Sequence, residues 1–137
     1  MRSRKGICFL LSFLCLIGLS FSAGIAAGAP LRLKVTDVRV NKKSGSVNKN
    51  AIKRIVRRNI QKLKGCVKSS VNKQGKKYSG WLWLSFDFKK SGAIKKAAAN
   101  STITNKFAMK CIKMHMKRWK VGKGGYGSVT ATVQMKK

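Results

Sequence analysis

Few of the residues that carry out chemistry in enzymes occur in this chain, and their scarcity narrows its function. The 137 residues contain no glutamate, and Asp37 and Asp87 are the sole acidic side chains. Paired-carboxylate glycoside hydrolysis, aspartic-protease dyads and oxygen cages for Ca²⁺ or Mg²⁺ all require more. His115 is the lone histidine. A secreted basic ribonuclease would pair it with a second His or a Glu as acid and base; with neither present, it reads as a structural or surface residue. Gly122, Gly124 and Gly127 satisfy G-x-G-x-x-G. That nucleotide-binding turn follows a strand and opens a helix, whereas this run follows a helical pattern and opens a strand, so it reads as a helix stop plus loop. These residues predict a chain that is not an enzyme and takes no cofactor.

Charge is the stronger signal. Lys and Arg number 32 against two acids, for a formal charge of +30 and a pI near 11.1, while 44% hydrophobic content is enough to build a core. The cations fall in separate clusters: Lys53, Arg54, Arg57 and Arg58, then Lys73, Lys76 and Lys77, then Lys89 and Lys90, then Lys113, Lys117 and Arg118. Self-repulsion on this scale calls for an anionic counterpart, and the spread suits a polymer or surface better than one small ligand. DNA or RNA and the phosphates of lipopolysaccharide are the partners it predicts. Trp81 and Trp83 alternate with Leu82 and Leu84. If their face of the strand is open, two indoles flanked by Lys76, Lys77, Lys89 and Lys90 form a stacking platform of the kind single-strand binders use. The alternative is that the rings pack under the basic loop or against a second copy.

The first residues read as an address. Arg2, Arg4 and Lys5 precede an uncharged run from Gly6 to Leu31, followed within it by small residues at Gly24, Ala26, Ala27 and Gly28. This is the pattern of a secretory signal over 1–28 with cleavage near 26–28, leaving 30–137 as a single domain. The rival is an uncleaved membrane anchor. The leader holds only three of the basic residues, so the charge belongs to the domain. It also holds Cys8 and Cys15, which leaves Cys66 and Cys111 as an even pair in a periplasmic or secreted protein. In an oxidising compartment a disulfide is the default expectation, worth about 4 kcal/mol in the chain-entropy model. Two cysteines without a nearby histidine or a second pair do not make a zinc site, and no CxxC suggests redox exchange.

The elements that must position these residues follow from periodicity. Leu31, Leu33 and Val35 alternate with polar residues, and Val38 and Val40 resume in the opposite phase, predicting a strand with a bulge near Thr36 and Asp37. Asn41 to Gly45 reads as a turn. Asn48 is an N-cap, with Val47 and Ile52 as a hydrophobic staple, for one helix of roughly 20 residues ending before Gly75. GWLWLSFDF is a strand, Lys89 to Gly92 turns into a second, and Ser101 to Asn105 starts a helix with the stripe Ala108, Cys111, Ile112, His115 and Trp119. A last strand alternates Val129, Ala131, Val133 and Met135 with polar residues.

The helix ending in Cys66, Gly80 opening the strand to Phe88, Gly92 with Ile94 and Ala97, the Ser101-Thr102-Ile103 step, and Cys111-Ile112 followed by Trp119 together resemble the AgmX/PglI C-terminal domain family of myxobacterial-type envelope proteins. That family is itself similar to the TonB C-terminal domain. The resemblance implies an α+β fold in the order strand, helix, strand, strand, helix, strand, with two helices on one face of a short, mainly antiparallel sheet. It also implies that Cys66 and Cys111 match the family's paired cysteines, that no residue is catalytic, and that an envelope protein partner is the alternative to an anionic polymer.

Overall fold

The computed structural model describes residues 29–75, 77–103 and 105–137, and of Lys42 and Lys43 the backbone alone. The proposed leader over 1–28, with the anchor reading, and Lys76 lie outside the described residues.

The chain is α+β. Strand β1 (Arg32–Gly45) is followed by helix α1 (Lys49–Ile60), a 3₁₀ turn (Gln61–Leu63) and helix α2 (Lys64–Lys73). Strands β2 (Ser79–Phe88) and β3 (Ile94–Ser101) form a hairpin, and helix α3 (Lys106–Lys117) leads to β4 (Gly125–Lys136). All pairings are antiparallel, in the order β1-β4-β2-β3, so the last strand lies between the first and second. Among the described residues, helices cover one face of the sheet only. Leu82, Leu84, Phe86 and Phe88 of β2 and Val129, Ala131, Val133 and Met135 of β4 are buried in one cluster with Ile52, Val56, Ile60, Val67, Ile112 and Met116 of the helices. The period-2 pattern of the strands thus meets the three-and-four pattern of the helices, which is how an amphipathic helix gains most of its stability.

Asn48 caps α1 as its sequence suggests: its side-chain oxygen accepts from the backbone N–H groups of Asn50 and Ala51 at 2.9 and 3.3 Å, and Val47 and Ile52 are both buried beside it. Five boundaries differ from those the sequence predicts. The first helix is not continuous but tightens to 3₁₀ geometry at Gln61–Leu63, where the Gln61 side-chain amide donates to the Leu33 carbonyl on β1 at 2.9 Å. Asn41 to Gly45 is strand rather than turn, because the backbone pairs Lys42 with Ser128 through to Gly45 with Gly125. Tertiary pairing here overrides turn-forming residue types. The same pairing draws Gly125 to Ser128 into β4. Ser101 closes β3, and the N-cap of α3 is Asn105, whose side chain accepts from Phe107 and Ala108. Helix α3 stops at Lys117, so Trp119 is buried beyond it, edge-on to Phe86 with ring centroids 5.8 Å apart. Met116, absent from the expected stripe, is buried in its place on α3, while Cys111 and His115 are half-buried. The expected bulge is present as a register shift between Val35 and Asp37, and a second follows between Val40 and Lys42.

The turn between β2 and β3 depends on Gly92, at φ +80°, which donates to the Lys89 carbonyl at 2.8 Å and whose own carbonyl accepts from Val121 at 3.0 Å. A Cβ there would run into the Gly122 backbone. Gly92→Ala should therefore cost about 1–3 kcal/mol, through both the left-handed backbone and the clash, as read by urea unfolding. Unchanged stability would show that the two loops separate freely.

Candidate functional site

The sheet face that no described helix covers is where the structure brings candidate functional side chains together. Trp81, Trp83, Ser85 and Asp87 alternate with the buried leucines and phenylalanines of β2, so all four point away from the helices. No helix or loop among the described residues covers them, and Trp81 and Trp83 remain 37% and 43% exposed. For large apolar rings in a monomer this exposure costs free energy that burial would recover, about 25 cal/mol per Å². The two indoles sit two residues apart on one strand, about 7 Å along it.

Backbone register supplies the neighbours. Trp81 lies opposite Gln134 of β4, which lies opposite Lys34 of β1. Trp83 lies between Thr132 of β4 and Asn100 of β3, with Asp37 of β1 beyond Thr132. In the next rows Arg39, Thr130, Ser85 and Ala98 run across the sheet, then Lys42, Ser128, Asp87 and Lys96. Amide and hydroxyl groups thus flank the rings, and Lys34, Arg39 and Lys96 mark the two edges. Lys34 is two strands from Trp81, about 10 Å, a distance comparable to the Debye length at physiological salt.

Both acids of the chain are on this face. Asp37 accepts from Arg39 Nε at 2.6 Å, and the backbone of Asp87 stands in register with Lys96. The Trp81 backbone is fixed on both sides: its N–H donates to Thr102 Oγ1 at 3.1 Å, while its carbonyl accepts from the Thr102 N–H at 3.0 Å and Ser101 Oγ at 2.9 Å. Tyr78 and Thr102 hydroxyls join at 2.8 Å beside it. This end of β2 is anchored before any ligand arrives.

The predicted cations do not converge on the indoles. Lys53, Arg54, Arg57 and Arg58 of α1, and Lys113 and Arg118 at and after α3, belong to the helix layer, on the opposite side of the sheet, while Lys117 at the end of α3 also lines a shallow pocket with Ser85, Asp87, Lys96 and Thr130 of the open face. Lys73 ends α2, and Lys77 lies in the loop entering β2, at the tryptophan end. Lys89 and Lys90 sit in the β2–β3 turn; Lys89 is six residues from Trp83, about 20 Å along an extended strand. There they line a shallow pocket with Lys95, Asp87 and Tyr126. Lys136 of β4, in register with Ser79, is a diagonal neighbour of Trp81 at about 7–8 Å, and Lys34 and Arg39 lie one strand further, on β1. These were legible as polar positions of their strands; the strand order that puts them on the same face as Trp81 and Trp83 was not.

Cys66 of α2 and Cys111 of α3 form a disulfide with Cα atoms 5.6 Å apart, joining the two helices over the core. The expectation of no histidine nearby needs correction: His115, one helical turn after Cys111, places a ring nitrogen within 4.8 Å of both sulfurs. Bonded to each other, the sulfurs carry no thiolate, and thiolates are the form that ligates metal. This group lies in the helix layer, away from the indoles.

Fold and surface together define a small disulfide-linked α+β domain with one open, aromatic sheet face and a strongly basic exterior. No family model, curated protein or solved structure matches the chain.

Proposed function

We propose that this protein is a non-enzymatic binding domain for an anionic polymer, and that the open sheet face takes single-stranded nucleic acid. The observation that carries the reading is the exposed Trp81 and Trp83 pair, on a sheet face that no described helix covers, in a chain of +30 charge. Lipopolysaccharide phosphates would satisfy the charge but leave the indoles without a role, whereas nucleobases have faces that stack on them at about 1–3 kcal/mol per base. Gln134, Thr132 and Asn100 beside the rings offer hydrogen-bonding groups to base edges, and the basic edges offer phosphate contacts. The leader-like N-terminus and the disulfide support action in the periplasm or outside the cell. A TonB-like envelope fold of the AgmX/PglI type is consistent with the α+β layout and the paired cysteines.

Binding measured from 50 to 300 mM salt should give log K against log salt a slope of about −4 or steeper, if six or more single-strand phosphates are neutralised. A slope near −1 contradicts polymer neutralisation. In a panel at one salt concentration, a single-stranded oligonucleotide should perturb Trp81 and Trp83 at lower concentration than lipopolysaccharide does. The reverse order assigns the cationic surface to lipopolysaccharide and removes the stacking role. Retention of one defined envelope protein at high salt, with no oligonucleotide binding, would make the domain a protein adaptor instead.

A further inference from the structure

The two sides of the molecule differ in their apolar exposure as well as in their charge. On the outer face of α3, Phe107 is 84% exposed and Met114, two turns later, is 50% exposed. Neither contributes to the core, whose α3 members are Ala108, Ile112 and Met116. Lys110 lies between the two apolar side chains. Lys106, Lys113 and Lys117 complete a row that lines, with Ile103 and Met109, a groove between α3 and the end of β3. Helix α1, which packs over β1 toward the other edge of the sheet, adds exposed Arg54, Arg57 and Arg58 to the same layer. No acid offsets these cations within the layer, since Asp37 and Asp87 both lie on the sheet face.

We infer that the helix layer is a docking surface for an anionic lipid leaflet, with Phe107 and Met114 of α3 entering the headgroup boundary and the lysine row neutralising lipid phosphates. Charge complementarity selects the partner. A neutral protein groove would take the apolar pair but leave the cations of two helices without counterions, whereas a surface of phosphate headgroups over acyl chains satisfies both. A helix with a basic polar face and a few large apolar side chains lies in such an interface with its apolar residues sunk several ångströms into it. Each Lys or Arg near an anionic leaflet adds to the attraction within a Debye length. The docked protein presents its opposite face, with Trp81 and Trp83, to solvent. This inference does not rest on nucleic-acid binding, because it uses the other side of the molecule.

The test is orientational, so any membrane affinity of the N-terminal apolar run does not confuse it. The full chain, labelled at methionine methyls and tryptophan indoles, is added to phosphatidylglycerol bicelles containing a nitroxide-labelled lipid. The Met114 methyl signal should broaden at least fivefold more than those of the buried Met116 and Met135, and more than the Trp81 and Trp83 indole signals. Phosphatidylcholine bicelles should leave Met114 unbroadened, and Phe107→Ser should reduce the effect in anionic bicelles at least threefold. Phe107 is exposed, so this variant keeps the fold, which circular dichroism verifies. Broadening that is greatest at Trp81 and Trp83, equal in neutral bicelles, or absent at Met114 would overturn the assignment.

Discussion

Replacing Trp81 and Trp83 together with alanine should weaken binding of a single-stranded oligonucleotide by about 30-fold or more. Each stacked base contributes about 1–3 kcal/mol, and 1.4 kcal/mol is a factor of ten in affinity. The effect on stability should be small, because both rings are already more than one-third exposed and the β2 residues that build the core are Leu82, Leu84, Phe86 and Phe88. The slope of log K against log salt should barely change, since no charge is removed. Arg39→Ala and Lys34→Ala should show the complementary behaviour, reducing the slope by about 1 each if each cation holds a phosphate. A double tryptophan variant that binds within threefold of the wild type would remove stacking from the mechanism. Its remaining affinity would then come from charge alone.

Loss of the Cys66–Cys111 bridge has the largest expected effect on the fold. The disulfide closes a 45-residue separation and ties α2 to α3. The chain-entropy model gives about 4 kcal/mol for such a loop, against the 5–15 kcal/mol that holds a typical domain together. Reduction, or the double substitution Cys66→Ala with Cys111→Ala, should lower Tm by about 15 °C or more. The loss should be greatest in low salt, where a chain with 32 basic residues and two acids repels itself most strongly. A Tm shift below 3 °C would mean that helix packing around Ile52, Val67 and Ile112 suffices without the bridge. Non-reducing peptide mapping should recover Cys66 and Cys111 in one crosslinked fragment.

Where residue pattern alone decided local structure, the sequence was readable. The alternation of GWLWLSFDF located β2 and put Trp81 and Trp83 on one face; the three-and-four spacing from Ile52 to Val67 located the first helical segment; and Asn48 marked its start. The misplaced strand boundaries share a cause, which is backbone pairing with a distant strand. Asn41 to Gly45 has turn composition but is held extended by β4, and Gly125 and Gly127 are held by β1 and β2. The helix break at Gln61 likewise depends on the Leu33 carbonyl, 28 residues away. The same limit applies to the surface: Lys89 and Lys90 are close to Trp83 along the chain but lie at the far end of the sheet. Lys34 is distant in sequence and two strands away, because β4 inserts between β1 and β2. Local periodicity predicts which face a residue takes; strand order decides which residues share that face.

The indole N–H signals of the three tryptophans during titration with an oligothymidine provide the most direct measurement. Trp119 is buried against Phe86 in the core and serves as the internal reference, while Trp81 and Trp83 stand on the open face. Stacking of bases on the sheet predicts large, saturable shifts at Trp81 and Trp83 with Trp119 unmoved, at an oligonucleotide concentration that matches the affinity seen in solution. Saturated binding with both exposed indoles unmoved would contradict the assignment of this face as the nucleic-acid site.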